Sequence, residues 1–458
     1  MYSNLSNEKK NEWIDFTHKN RVNPQKLYVH MKETQEYKVS DMSNIFIFDG
    51  KIYKQLSPRE FKTIIKEKMP VEIRCKKDWE AVYDEFVTDS PDIFESDFNS
   101  DENIIGFQNG ILNLSTGELM PHDEKYMLTR IIPCEYHQNQ SLDNAPIFKN
   151  YITTLCSGNE TEINFLLEYM GAIFSNIKGW RFKKFLILVG AGNTGKTQIR
   201  ELTMDLLGRD YCMAIDMKTL NERFGSGYLD HKRLSGSGDM SAVELSEMAL
   251  MKNLTGGDST FAENKHKTGF TLKYDGFLWF NANELPHFRG DRGLHVYSRF
   301  AIIECNNIVP EEKRDSRLLE KLMLEKDIIV SVAIDMLRQA INRGYKFSES
   351  DAMIATRKQY AIENNSLLTF VNEYCDRDNY NHKTKRSEFN SIYKKWCCSN
   401  RLLPERDREI SKQLFEHFLI EAFKTNGNYY YPLKIHDEVL KEYDSTAYAF
   451  NQIRLKSS

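Results

Sequence analysis

Apolar positions along the chain fall into patterns of several periods, and each predicts its own kind of element. Asn44-Ile-Phe-Ile-Phe-Asp-Gly-Lys-Ile-Tyr53 reads as two strands about an Asp49-Gly50 turn. Gly106-Phe-Gln-Asn-Gly-Ile-Leu-Asn-Leu-Ser-Thr-Gly-Glu-Leu119 repeats the hairpin signal, with turns at Asn109-Gly110 and Thr116-Gly117. Pro146 then opens a helical block, in which Ile163, Leu166, Leu167 and Met170 recur on one helix face. Phe185-Leu-Ile-Leu-Val189 is short and apolar throughout, as a strand buried on both faces requires. A second apolar strand, from Phe277, runs to the polar Asn283. Near the end, Phe389, Ile392, Tyr393 and Trp396 predict one helix face, and Leu414, Phe415, Phe418, Leu419 and Ala422 a second. Asn426-Gly427 turns into the strand-like Tyr429–Ile435, so two helices are followed by a hairpin, the order of a winged helix.

Composition narrows this picture. A chain of 458 residues exceeds one ordinary core, so two or three domains are expected. The net charge of -4 excludes a protein coated in positive charge, so any nucleic-acid contact must be local. From Asp78 to Glu102 every charged residue is acidic, which predicts a solvated acidic face or a linker. Lys383–Lys412 is by contrast rich in Lys and Arg, and Lys394 and Lys395 beside Trp396 are candidate phosphate contacts, with a solvated helix face as the alternative. The polar start has no signal-peptide core, and no apolar run is long enough to cross a membrane; a cytoplasmic protein is expected. The eight cysteines show no CxxC spacing and are expected to be reduced core residues without zinc.

The chemistry centres on Gly190-Ala191-Gly192-Asn193-Thr194-Gly195-Lys196-Thr197, a complete phosphate-binding loop between the 185–189 strand and a helix over 198–207. Its glycines let successive backbone N–H groups face phosphate oxygens, and the helix adds its positive end. Lys196 is assigned to the β- and γ-phosphates of ATP and Thr197 to Mg²⁺.

The next hundred residues carry a resemblance. Phe277-Leu-Trp-Phe-Asn-Ala-Asn-Glu-Leu-Pro286 resembles motif C of superfamily 3 helicases, which makes Asn283 the sensor of the attacking water. Tyr297-Ser-Arg-Phe-Ala-Ile-Ile303 resembles their arginine-finger segment, with Arg299 as the finger and Arg289 and Arg292 as competitors. Leu254-Thr-Gly-Gly-Asp258 is similar to the B′ motif of phage and plasmid primase–helicases, whose following hairpin grips DNA in a central channel; Lys265, His266 and Lys267 would form its tip, or merely a solvated turn. The acidic residue that should serve Mg²⁺ and the attacking water is Asp239, after Lys232-Arg233-Leu234, with Glu244 as a helper and Asp230 as the alternative.

The resemblance implies an α/β chain with a central AAA+ parallel-sheet domain at 141–345. An N-terminal α/β domain at 1–140 would precede it and a C-terminal winged helix at 346–458 would follow. It further implies a hexameric, ATP- and Mg²⁺-dependent helicase moving on single-stranded DNA and starting replication of a mobile element. Such a protein would bind duplex origin DNA through the winged helix and could engage host replication proteins. Too few residues precede the motor for a primase module, so no primer synthesis is expected; a shortened helicase of this kind resembles the replication initiators of staphylococcal pathogenicity islands. Two other readings stay open: an origin-binding ATPase switch that recruits a host helicase, and a non-enzymatic DNA-binding protein with a relic loop.

Overall fold

The computed structural model describes residues 13–15, 21–34, 37–240, 244–245, 248–263, 269–288, 294–377, 382–400, 402 and 404–443. Its centre is a five-stranded parallel sheet of β1 (Phe185–Val189), β2 (Cys212–Ala214), β3 (Leu234–Gly236), β4 (Phe277–Ala282) and β5 (Phe300–Glu304). The spatial order is β2-β3-β4-β1-β5, so the strand that feeds the glycine loop lies between β4 and β5. Parallel strands covered on both faces must be apolar throughout. β4 is buried at all six positions, including the polar Asn281, and β1 at four of five.

The covering helices explain why the flanking sequence is so apolar. Helix Glu160–Phe174 buries 12 of its residues and packs against helix Lys326–Asn342. The two helices touch at Gly171, where a Cβ would stand 2.2 Å from the Ala333 carbonyl oxygen. The C-terminal end of Glu160–Phe174 is closed by Arg233, whose buried guanidinium donates to the carbonyls of Ala172 (2.7 Å), Ile173 (3.2 Å) and Ile177 (2.6 Å) and to that of Asp275. A cation at a helix C-terminus satisfies both the orphan carbonyls and the dipole. Helix Pro146–Leu155 is capped from a distance: the Glu325 carboxylate accepts from the Ile147 and Phe148 backbone at 3.1 and 2.8 Å.

Before the central sheet, a three-stranded sheet (37–39, 45–48, 53–56) with helices Pro58–Lys68 and Lys76–Thr88 encloses a core that runs from Trp13 to Phe86. The acidic run is not a linker. It forms the Lys76–Thr88 helix and then ties down its surroundings: Asp89 pairs with Lys32 of helix Pro24–Thr34 at 2.6 Å, while Asp92 accepts from the Val39 backbone of the sheet at 2.9 Å and Glu95 from Ser40 at 2.9 Å. Residues 104–136, with the second hairpin, contribute Ile105, Phe107, Leu112 and Tyr136 to the large core around the central sheet.

After the central sheet, helix Asp351–Glu363 packs on β5, and a separate core takes residues from Leu367 to Tyr443. Its order is helix Ser366–Tyr374, β6 (Thr384–Lys385), helices Arg386–Ser399 and Asp407–Phe418, then the hairpin β7 (Phe423–Thr425) and β8 (Asn428–Tyr431). The sheet runs β6-β8-β7, all antiparallel. The first predicted apolar face is buried at Phe389, Ile392, Tyr393 and Trp396. The second is corrected. Leu414 is buried, but Phe415 and Leu419 are 52% and 80% exposed, and Ala422 lies beyond the helix, which ends at Phe418 with Leu419 left-handed (φ 56). Among the described residues no helix is long and apolar enough to cross a membrane. All eight cysteines are free.

Candidate nucleotide site

β1 delivers the chain into the glycine loop at the C-terminal edge of the sheet, where ligands of open parallel sheets bind. Gly190 takes φ 147, and a Cβ there would stand 2.3 Å from the Cys305 carbonyl oxygen, so a side chain would push β1 off the strand next to it. Gly195, at φ 99, leads directly into the helix Lys196–Leu207. The loop is braced from both sides: Tyr151 donates its hydroxyl to the Gly195 carbonyl at 2.7 Å, and the Val309 backbone donates to the Asn193 carbonyl at 2.9 Å. The Lys196 ammonium folds back over the loop, donating to the Gly190 and Ala191 carbonyls at 2.6 and 2.7 Å and to the Thr194 hydroxyl at 3.2 Å. Burial lowers its pKa, opposed by the nearby Cys305 and Asp239.

The loop opens on a cavity of about 860 Å³ that Gly192, Asn193, Thr194, Gly195, Lys196 and Thr197 line on one side. Asp239 and Asn283 line it from the ends of β3 and β4. Three of the predicted chemical groups thus come together from three adjacent strands.

β3 has only three residues, yet the loop after it is firmly placed. Asn281 donates its backbone N–H to the Ser237 carbonyl at 2.8 Å, and Met240 donates to the Asn281 carbonyl at 2.8 Å. The Ser237 hydroxyl donates to the Asp239 carbonyl at 2.9 Å and accepts from the Asp239 N–H at 3.2 Å. The Asp239 side chain is left exposed toward the cavity. Asp230 precedes β3 and lies toward the opposite edge of the sheet. Glu244 lies in a two-residue strand paired with His287–Phe288, and its side chain is outside the described residues.

Arg299 stands away from this cavity. It immediately precedes β5, and its carbonyl accepts from Phe185 at the start of β1, whereas Glu304 aligns with Val189 at the loop end. Five strand residues span roughly 17 Å, so Arg299 and the loop occupy opposite edges of one sheet. The guanidinium donates to the Thr255 hydroxyl at 2.9 Å, which joins two segments that the sequence presented separately, and its buried Nε finds no hydrogen-bond partner among the described residues. Burial lowers its pKa, opposed by Asp258.

The remaining predicted residues divide. Strands Thr260–Ala262 and Phe270–Leu272 pair as a hairpin, but Lys265, His266 and Lys267 at its tip are outside the described residues, as are Arg289 and Arg292. In the C-terminal domain Lys394 pairs with Asp407 at 2.6 Å and Lys395 donates to the Tyr443 carbonyl at 3.1 Å, so both are engaged within the domain.

The structure adds residues the sequence did not single out. Asn281 donates its side-chain amide to the Lys196 carbonyl at 2.8 Å and accepts from the Trp279 indole at 3.0 Å. An asparagine inside an otherwise apolar strand was the available signal. Lys313, Arg314 and Lys321 line the far wall of the cavity, with Lys321 paired to Asp315 at 2.5 Å. They follow β5 in a stretch without a recognisable motif, so only the fold brings them to the site.

The donor set suits Mg²⁺. The Thr197 hydroxyl and the Asp239 carboxylate are hard oxygen donors on one cavity, and no cluster of three or more His, Cys, Asp or Glu occurs among the described residues. Mg²⁺ is commonly held in this way, by one or two protein oxygens together with substrate phosphates.

Comparison with known proteins agrees in part with the sequence. Two solved apo structures of the NrS-1 C-terminal region are similar to the chain at 14% identity, with TM-scores of 0.46 and 0.45, covering 89% of this chain and 98% of each of theirs. Residues 188–299, from the end of β1 to Arg299, match DUF5906, a family of unknown function. Residues 7–157, about the first third of the chain, are similar to the family described as D5 N terminal like.

Proposed function

We propose that the chain is an ATP-dependent DNA motor of a replicating mobile element, working as a closed six-membered ring in which each site is completed by a neighbouring copy. One observation carries this reading: Lys196, Thr197, Asp239 and Asn283 share one cavity, while Arg299 is held at the opposite edge of the same sheet. A guanidinium so placed cannot reach its own loop; in a ring of copies it would serve the loop of a neighbour. The D5 N-terminal-like match of residues 7–157 supports the primase–helicase resemblance.

Within the site, Lys196 would leave its loop carbonyls for the β- and γ-phosphates of ATP. Mg²⁺, when bound, neutralises charge that builds on those phosphates. Asp239 would take the proton of the attacking water and Asn283 would orient that water. The neighbour's Arg299 would stabilise charge on the transferred phosphoryl group, an effect of about 10³–10⁵ in rate where it has been measured. The 260–272 hairpin, on the Arg299 side through Thr255, would carry the stroke to a DNA strand. The C-terminal domain would be a winged helix, a reading that its order of helix, strand, two helices and hairpin supports.

The test is ATP hydrolysis with and without single-stranded DNA, assayed together with separation of a forked duplex. DNA-stimulated hydrolysis and unwinding, both lost in Lys196→Ala, support the motor. Hydrolysis without strand separation replaces it with an ATPase switch.

A further inference from the structure

The two C-terminal lysines that the sequence assigned to DNA make contacts within the domain, Lys394 in an exposed ion pair with Asp407 and Lys395 to the Tyr443 carbonyl. Another surface of the same domain carries the chemistry. In the β6-β8-β7 sheet, Lys385 pairs with Tyr430 and Tyr430 with Phe423, so these three side chains form one row across the strands. The adjacent row, Thr384 and Tyr431, is buried, which places the Lys385–Tyr430–Phe423 row on the outer face. There Phe423 and Tyr430 stack with centroids 6.0 Å apart and planes at 28°, and the Lys383 ammonium lies 5.5 Å from the Tyr430 ring centre. Phe423 is 40% exposed. At the hairpin tip a second pair repeats the motif on the other face, with Lys424 5.8 Å from the ring of the exposed Tyr429.

Cations predominate here: Lys383, Lys385, Arg386 and Lys424 lie on or beside the three strands, while Lys434 is paired with Asp437 at 3.2 Å and the exposed Glu421 precedes β7. Exposed aromatic rings interleaved with lysines match a polyanion that also offers flat faces. That describes a nucleic acid whose bases are unstacked, since duplex DNA hides those faces.

We propose that the outer face of this sheet, built on Phe423, Tyr430, Lys383 and Lys385, is a stacking platform for single-stranded DNA. Bases stack on the two rings and the lysines follow the phosphates. Binding at this face deepens the reading of the chain as a DNA motor by assigning the C-terminal domain to a separated strand rather than to a duplex groove.

The experiment measures fluorescence anisotropy of the full chain with a thymidine oligomer of about twenty nucleotides and, separately, with a blunt duplex of equal length. A Lys265→Ala/Lys267→Ala background removes the other candidate DNA contact. In that background, Phe423→Ala/Tyr430→Ala is expected to weaken oligomer binding about 5- to 50-fold and duplex binding less than about twofold. Lys383→Gln/Lys385→Gln should lower the salt slope for the oligomer by about 0.7 for each phosphate that a lysine no longer neutralises. Crosslinking of a 5-iodouracil oligomer should label the peptide that contains 423–430. Unchanged oligomer binding with no crosslink there overturns the platform, as does an equal loss on the duplex. Circular dichroism melting of the same samples reports folding of each variant. If the wild-type chain hydrolyses no ATP, the motor fails while the oligomer data still decide the platform.

Discussion

The side-chain amide of Asn281 on β4 donates to the main-chain carbonyl of Lys196 at 2.8 Å, tying the strand next to the loop strand to the first turn of the loop helix. The same side chain accepts from the Trp279 indole at 3.0 Å, so both ends of a fully buried amide are used. Asn283, two residues further on, lies outside the strand and is exposed toward the cavity. One asparagine thus holds the loop and the other faces the substrate space.

This division gives a first prediction. Asn281→Leu leaves the Trp279 N–H buried without a partner and unties the helix, at a cost of about 2–4 kcal/mol. Urea denaturation should show that loss. Asn283→Ala, at an exposed position, should leave stability within about 0.5 kcal/mol and lower hydrolysis instead.

Arg233 makes a second case. Its guanidinium reaches four backbone carbonyls around the end of the 160–174 helix. Arg233→Met leaves those carbonyls without their donor in a dry environment and should cost at least about 3 kcal/mol. Arg233→Lys should recover little of it, because one ammonium cannot match a planar fork. Thermal or urea unfolding of the three proteins decides; a lysine variant as stable as the parent would refute the closing role.

The C-terminal domain should respond to pH through His417. Its buried Nε2 has no hydrogen-bond partner among the described residues, and burial holds the imidazole below its ordinary pKa, with Glu416 opposing. The folded chain therefore binds fewer protons at this residue than the unfolded chain does. Its stability is complete above the unfolded value of about 6.5 and is lost as pH falls through the depressed folded value. Urea midpoints of wild type and His417→Phe should converge at higher pH and separate below about pH 6, with wild type the more acid-sensitive.

Gly236 closes β3 at φ 139, where a Cβ would stand 1.9 Å from the Trp279 carbonyl oxygen. Gly236→Ala must push β3 from β4 and carry the 237–239 loop with it. We expect lower stability together with a loss of hydrolysis larger than that of ATP binding; full activity in the variant would show that the loop is placed by other contacts.

Much of the site was legible because its parts are local. The glycine loop, its strand and its helix are contiguous, and Phe277–Ala282 is too apolar to be anything but a buried strand. What escaped depends on distance in sequence. Tyr151, Lys313, Arg314 and Lys321 meet the loop only because the chain folds back on both sides of the sheet. β3 was obscure because a three-residue strand of Leu, Ser and Gly has no period to read. Leu419 counted as core on spacing alone, yet the helix stops one residue earlier and turns it outward. The acidic run is solvated, as its composition suggested, with Asp84, Asp89, Asp92, Asp97 and Asp101 exposed; that it also anchors the fold was hidden because its partners, Lys32, Val39 and Ser40, lie some fifty residues upstream.

A site shared between copies is the central claim, and subunit mixing tests it most directly. Lys196→Ala and Arg299→Ala should each abolish hydrolysis alone, the second while still binding nucleotide. Mixed together, they should regain hydrolysis, because an intact loop on the Arg299→Ala copy can then meet an intact arginine on the Lys196→Ala copy. If mixtures at every ratio stay inactive while mass measurement shows that the two variants co-assemble, Arg299 does not act on a neighbour's site and the central claim is wrong.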